Sequence, residues 1–298
     1  MIKNIRRNTK IQIGDLRCEY AHNPLGIDTQ KPRLSWKLEA NRRAVVQSAY
    51  QIRVRDQAGE LWNSGKIESD QSIHVPYGGP ILRSAQRCEW QVRAWDGAGR
   101  QSEWSEVASW EMGLLATSDW KASWIEPDWD EDPHVSHPAP YLRKSFRPGA
   151  GEIVSARLYA TARGLYELSL NGQRVGNALF TPGFTSYAHR LQYQTYDITS
   201  LLVPGENVLG VILGDGWYRG KYGPRQKPNL YGERLGLLLQ LNLRYADRHE
   251  EWIVSDAGWL ASRGPIIKSN FPDGEIYDAR LEMSGWDRPG FDASACQH

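Results

Sequence analysis

The 298-residue chain is nearly neutral, with 36 Lys and Arg residues against 35 Asp and Glu residues and a net charge of +1. This balance gives no reason to expect nucleic acid or an anionic membrane as a partner. No apolar run approaches the roughly 18 residues of a membrane span, and no apolar stretch follows the basic N-terminal segment as it would in a secretory signal.

The cysteines indicate the cellular compartment, and the distribution of glycine and proline indicates the fold class. Three scattered cysteines, Cys18, Cys88 and Cys296, do not make a disulfide framework, so we expect a cytoplasmic protein. The sequence has no long helical periodicity, and 28 Gly and 16 Pro residues separate many short strand-like runs. These features predict an all-β architecture.

Residues 14–113 are the first predicted domain, and their short strands are typical of an immunoglobulin-like β-sandwich. Trp36 and the alternating run after Cys88 occupy core positions, and Ser102–Ser105 reads SEWS, so the block resembles a fibronectin type III module. Cys88 stands where such modules carry a corner tyrosine. The strand candidates are Leu34–Leu38, Ala49–Arg55, Leu61–Ser64, Ile73–Tyr77, Cys88–Asp96 and Ser109–Met112.

Residues 114–140 are predicted to be a linker, because Pro127–Pro140 is acidic and rich in proline. The alternative is a metal site built from His134 and His137 with acidic neighbours (Asp128, Asp130 and Asp132). Prolines at positions 133 and 138 interrupt the helix that would bring both imidazoles to one face. We therefore predict a solvated linker and no metal.

Residues 141–298 are the second predicted domain, a longer β-sandwich of the jelly-roll type with decorated loops. Leu158 to Thr161 alternate between apolar and polar side chains, which predicts a strand with one buried face. Asn171-Gly172 then predicts a tight hairpin. The strand candidates are Leu142–Phe146, Ile153–Thr161, Leu165–Asn171, Leu191–Tyr196, Asn207–Leu213, Leu235–Tyr245 and Glu251–Ser255.

Five phrases resemble one family when they are taken in chain order: NPLGIDTQKPRLSWKLEA (Asn23–Ala40), WNSGKIESDQSIHVPY (Trp62–Tyr77), YQTYDIT, GDGWYRG (Gly214–Gly220) and DGEIYDAR (Asp273–Arg280). Together they resemble the N-terminal region of bacterial α-L-rhamnosidases, the inverting glycoside hydrolases that remove terminal rhamnose. The resemblance extends from about Asp15 to Asp292. It implies two β-sandwiches that precede a catalytic (α/α)6 barrel, and that barrel is absent from these residues.

The resemblance also implies that no catalytic residue lies in this chain. Inverting hydrolysis needs a carboxylic acid and a carboxylate base about 6.5–9.5 Å apart. Acidic loop residues exist here (Asp215, Asp273, Glu275 and Asp278), but the family's acid and base belong to the barrel. No dinucleotide fingerprint, P-loop or nucleophile elbow is present either. We therefore expect an inactive chain with no cofactor.

Two loops carry the candidate binding residues. Gly214–Gly220 offers Asp215, Trp217, Tyr218 and Arg219, and the extended run Asp273–Arg280 offers Glu275, Tyr277, Asp278 and Arg280. Both loops are predicted to face the barrel or a carbohydrate. The alternative is a structural contact in which the arginines pair with acids and the aromatic rings are buried.

Two functions remain open from the sequence. The first is an accessory region that supports the barrel of a rhamnosidase, with a rhamnose-containing carbohydrate as a further partner. The second is a stand-alone carbohydrate-binding module. A support domain predicts an exposed apolar patch, whereas a binding module predicts an aromatic groove with measurable affinity for sugar.

Overall fold

The chain folds into β-strands joined by loops, in a computed structural model that describes residues 11–132, 135–223 and 225–297. Two compact units meet in sequence between Asp119 and Trp120. Within the described ranges, helix is confined to the three-residue 3-10 segments Thr117–Asp119, Thr199–Leu201 and Ala279–Leu281. None of the helices in those ranges is long and apolar enough to cross a membrane. The predicted all-β class is confirmed.

The first unit is a sandwich of two antiparallel sheets. One sheet has the order β1-β2-β6, and the other has the order β4-β3-β7-β8, with β5 paired to β3. Its strands are β1 Gln12–Cys18, β2 Arg33–Glu39, β3 Gln47–Asp56, β4 Gly59–Asn63, β5 Ile67–Glu68, β6 Val75–Pro76, β7 Arg87–Asp96 and β8 Ala108–Glu111.

Strict alternation along β7 builds the core of this immunoglobulin-like sandwich. Cys88, Trp90 and Val92 point inward and are buried, because successive side chains of a strand face opposite sides. They pack with Trp36 of the opposite sheet. On the outer face, the guanidinium groups of Arg53 and Arg93 lie 4.3 and 4.6 Å from the ring centroid of Trp104.

The second unit is also a sandwich. A four-stranded sheet, β13-β10-β15-β16, faces a five-stranded sheet, β12-β11-β14-β9-β17, and a separate hairpin joins β18 to β19. The strands are β9 Pro140–Phe146, β10 Ile153–Arg163, β11 Leu165–Leu170, β12 Gln173–Arg174, β13 Gln194–Asp197, β14 Asn207–Gly214, β15 Gly236–Tyr245, β16 Glu250–Val254, β17 Leu260–Arg263, β18 Ile266–Asn270 and β19 Gly274–Tyr277.

The central strand β10 is buried on both faces, so the expectation of one buried face is wrong there. Leu158 and Ala160 enter the core between the sheets. Tyr159 on the other face is covered by Tyr193, whose ring in turn packs edge-on against Trp120 at 5.5 Å. Segments outside the two sheets therefore add a third layer over this strand.

The predicted hairpin at Asn171-Gly172 is confirmed. Both residues have positive φ angles, +54° and +77°, as a type I′ turn requires. Leu170 pairs with Gln173 across the turn, so the two central residues alone reverse the chain. At the opposite end of β11, Leu165 pairs with Gly214 of β14, and this end of the sheet carries the loop Gly214–Gly220.

Candidate functional site

The loop Gly214–Gly220 is a tight turn directly after β14. The Arg219 amide donates a hydrogen bond to the Asp215 carbonyl at 3.1 Å, which closes one turn of chain. A Cβ atom at Gly220 would lie 2.3 Å from the Gly216 carbonyl oxygen. A side chain at Gly220 is therefore sterically excluded while this turn is kept.

Arg219 and Asp215 form a buried ionic network instead of an open binding surface. Arg219 Nε donates to Asp215 Oδ1 at 2.6 Å, and its Nη1 donates to Glu131 Oε2 at 2.9 Å. Only 8% of the Arg219 side chain is exposed. Ser136 donates a further hydrogen bond to Asp215 Oδ2 at 3.2 Å. The predicted linker thus supplies Glu131 and Ser136 to the network.

Trp217 and Tyr218 lie in two neighbouring aromatic groups. The Trp217 ring centroid is 4.6 Å from that of Phe271 and 5.6 Å from that of Phe184. Tyr218 packs edge-on against Tyr187 at 5.4 Å. Both residues are half-buried, so each contributes to the packing of the loop and to its surface.

The β18–β19 hairpin adjoins this loop. Ser269 Oγ accepts a hydrogen bond from the Asp215 amide, and Asn270 Oδ1 accepts one from the Lys221 amide, both at 3.2 Å. Asp273 binds Lys221 at 2.9 Å and Lys268 at 2.7 Å, and these hydrogen bonds lower the pKa of its carboxyl group. The loop Gly214–Gly220 and the adjoining Lys221 therefore contact the β18–β19 hairpin through hydrogen bonds, an ion pair and aromatic packing.

Beyond β19 the predicted residues have separate partners. The Tyr277 hydroxyl donates to Glu282 at 2.8 Å, and this hydrogen bond raises the pKa of Tyr277. Arg280 binds both carboxylate oxygens of Asp278, at 2.8 and 2.6 Å, and these hydrogen bonds lower the pKa of Asp278. Glu275 is exposed at the outer edge of the hairpin. A carbohydrate-facing or barrel-facing role for these residues stays a prediction.

An open cavity of about 370 Å³ lies between the hairpin and the end of β11 and β14. Its lining includes two carboxylates, Glu167 and Glu275, and both are exposed to solvent. Inverting hydrolysis requires one carboxyl group that a water-poor environment keeps protonated. Both carboxylates of this cavity are exposed, so the described residues do not place either of them in such an environment.

Only part of the alternative metal site lies in the described residues. His134 lies outside the described residues, and His137 Nε2 lies 2.7 Å from the Asp132 carbonyl oxygen. Across the described ranges, no three His, Cys, Asp or Glu side chains converge as metal ligands.

Sequence reasoning missed three phenylalanines and one acid. Phe180, Phe184 and Phe271 surround Trp217, and Glu131 completes the buried network. The available signal was the position of each phenylalanine within two residues of a Pro or Gly, in the phrases FTPGF and NFPDG. No comparable signal marks Glu131, which is one of many acids in its segment.

Comparison with known proteins matches both units to one family. Residues 13–116 match the Rha78A-like N-terminal immunoglobulin domain, and residues 151–298 match the alpha-L-rhamnosidase N-terminal domain. An alpha-L-rhamnosidase of Formosa agariphila is 38% identical over 283 residues, which cover 91% of this chain and 30% of that protein.

Solved structures give the same result. The crystal structure of an α-L-rhamnosidase from Aspergillus terreus superposes with a TM-score of 0.90 at 38% identity, and the match covers 96% of this chain and 33% of that one. A Streptomyces avermitilis alpha-L-rhamnosidase is 30% identical over 447 residues, or 93% of this chain and 43% of that protein. That match is longer than the present chain, so the Streptomyces protein carries additional residues within it.

The matched portion is thus less than half of each of these relatives, and it consists of the two domains that the family descriptions place at the N-terminus. The chain belongs to the α-L-rhamnosidase family and comprises its N-terminal immunoglobulin-like and β-sandwich domains.

Proposed function

We propose that this chain is the accessory N-terminal region of an enzyme that hydrolyses terminal α-L-rhamnosides. The two sandwiches would support a catalytic helical barrel that lies outside the 298 residues. The observation that carries the proposal is coverage: two N-terminal domain matches account for most of the chain, which spans only 30–43% of the two named alpha-L-rhamnosidases. A cytoplasmic location belongs to the same proposal, supported by three free cysteines.

The test compares the chain alone with a fusion protein. In the fusion, this chain replaces the matched 283-residue segment of the Formosa agariphila relative. We expect turnover of a chromogenic α-L-rhamnoside by the fusion and none by the chain alone. Turnover by the chain alone, lost on Glu167→Gln and Glu275→Gln substitution, would contradict the accessory role.

A second candidate function is carbohydrate binding at the cavity. The favouring observation is the combination of two aromatic rings, Phe180 and Phe271, with the carboxylates of Glu167 and Glu275 around a space of about 370 Å³. Sugar sites pair apolar ring faces with a few hydrogen-bonding groups. Calorimetric titration of the chain with L-rhamnose tests this function, and heat that disappears in the Phe271→Ala variant would support it.

A further inference from the structure

Three phenylalanines are exposed together on the second domain. The whole chain has five phenylalanines, and Phe180, Phe184 and Phe271 are 56%, 45% and 40% exposed. Leu179, beside them in sequence, is 65% exposed. We call these four residues and Trp217 the aromatic patch. Exposure of single apolar residues is ordinary, but a contiguous group marks an interaction surface.

The aromatic patch is held in place by its own packing. The Phe271 ring centroid lies 4.6 Å from that of Trp217 and 5.3 Å from that of Phe180. Phe180 has a φ angle of +57°, an unfavourable conformation for a bulky side chain. Thr181 fixes that backbone, since its carbonyl accepts from the Tyr166 amide at 2.8 Å and its hydroxyl donates to the Tyr166 carbonyl at 2.7 Å.

The exposed area is large for such a small group. With roughly 200 Å² for each aromatic side chain, the three exposed fractions leave about 280 Å² of phenylalanine surface in water. Leu179 adds to this area. The total approaches the roughly 300–600 Å² of the largest patch on a typical monomer, which is often functional.

The charged residues that line the cavity beside the aromatic patch are all acidic. Leu179, Phe180 and Phe271 line both features, and Glu167 and Glu275 are the charged residues of the lining. Glu167 lies 3.8 Å from Arg174. Among the described residues, Glu275 has no ion-pair partner within 4 Å. An occupant with apolar side chains and a basic group would complement this surface.

The ring geometry favours a protein occupant over a sugar. A sugar ring stacks on one flat aromatic face, whereas these rings are inclined to one another by 42° (Trp217 and Phe271), 54° (Phe184 and Trp217) and 57° (Phe180 and Phe271). Aliphatic Leu179 is the most exposed member. Such a faceted apolar surface suits interdigitating side chains.

We propose that the aromatic patch and its cavity are the docking surface for the remaining part of an α-L-rhamnosidase chain, which inserts apolar side chains there and sets an Arg or Lys against Glu275. This inference rests on the proposed accessory function. The named relatives extend well beyond the matched region, which supplies an occupant of the required kind.

The first experiment measures hydrogen–deuterium exchange in the isolated chain and in the fusion with the Formosa agariphila remainder. We expect the backbone amides of Phe180, Thr181, Gly183, Phe184 and Phe271 to exchange at least about tenfold more slowly in the fusion. If exchange slowed elsewhere on the chain and stayed unchanged at the aromatic patch, the proposed docking surface would be wrong and the accessory function would still stand. Unchanged exchange over the whole chain would overturn both.

The second experiment uses matched variants. The double substitution Phe180→Ser with Phe271→Ser should abolish that protection and lower the unfolding temperature of the fusion by more than it lowers that of the isolated chain. Val154 and Val203 of the same domain are 55% and 41% exposed, and their double Ser variant is the control that should change neither. Identical behaviour of the two variants would overturn the proposal.

Other occupants give distinct results. Slower exchange at the patch on addition of L-rhamnose to the isolated chain would assign the surface to carbohydrate and overturn the proposal. A dimer of the isolated chain by light scattering, converted to a monomer by the Phe180 and Phe271 variant, would assign it to a second copy and overturn the proposal too.

Discussion

Arg219→Met should be among the most damaging single substitutions in the second domain. The guanidinium group of Arg219 lies between two carboxylates, with hydrogen bonds of 2.6 Å to Asp215 and 2.9 Å to Glu131. Methionine replaces the aliphatic stem of arginine and carries no charge, so the substitution keeps most of the packing while it removes the guanidinium group. Asp215, which is 3% exposed, would be left as a buried anion without its cation.

The expected magnitude follows from that burial. Removal of one partner from a buried ion pair costs about 3–5 kcal/mol, because the remaining charge stays out of water without compensation. In a domain of about 150–250 residues, each kcal/mol shifts the unfolding temperature by about 2–4 °C. The second domain should therefore unfold about 6–20 °C lower in the variant.

Differential scanning calorimetry of the whole chain measures this change, with Arg225→Met as the matched control. Arg225 is exposed, and its substitution should change stability by less than about 0.5 kcal/mol. Adding Asp215→Asn to Arg219→Met should recover about 1–3 kcal/mol as a coupling energy. A loss of less than about 1 kcal/mol for Arg219→Met, or no coupling in the double variant, would refute the view of these residues as a buried structural network.

Three further predictions concern other parts of the fold. Gly220→Ala should destabilise the second domain by about 1–3 kcal/mol in a denaturant titration, because the new Cβ would lie 2.3 Å from a backbone oxygen. Gly97→Ala is the neutral control, since its Cβ would have no atom within 4 Å. Equal losses of stability in the two variants would contradict the steric argument. The Asp15 carboxyl accepts hydrogen bonds from Lys37 and Arg17, which lower its pKa to about 2, well below the usual value for aspartate. Its contribution to stability is therefore present above about pH 4 and is lost as the pH falls through 2. An NMR titration should give a midpoint near pH 2 that Lys37→Met moves upward, and an unmoved midpoint would exclude this ion pair as the cause. Tyr77→Phe should leave the stability of the first domain unchanged or raise it by up to about 1 kcal/mol, since the buried Tyr77 hydroxyl has no hydrogen-bond partner among the described residues. A clear loss of thermal stability would contradict this prediction and show that the hydroxyl makes a stabilising hydrogen bond.

The sequence predicts the strands well where local chemistry alone decides them. The alternation in β7 and the turn at Asn171-Gly172 depend on neighbouring residues, because side-chain direction and positive φ are properties of the local backbone. The double burial of β10 could not be predicted in this way. Its cover comes from Tyr193 and Trp120, whose positions are set by the tertiary fold.

The same difference between local and tertiary determinants applies to the residues of the candidate site. Gly214–Gly220 and Asp273–Arg280 stand out as short phrases, and the structure brings the first of them against the β18–β19 hairpin. Glu131, the second acid that pairs with Arg219, is 88 positions away, and no local pattern indicates it. The aromatic patch is a property of three separate loop segments, so it became visible only when they were assembled.

The buried network has a mechanical consequence. Glu131 and Ser136 belong to the segment that enters the second domain, and both hold the turn from which Trp217 projects. Under tension from the N-terminal side, the hydrogen bonds between Ile125 and Leu237 of β15 would carry the load first, and the turn would be loaded only after they broke. The base of the aromatic patch is thereby shielded from force on the connecting chain, and the contact with β15 should yield before it.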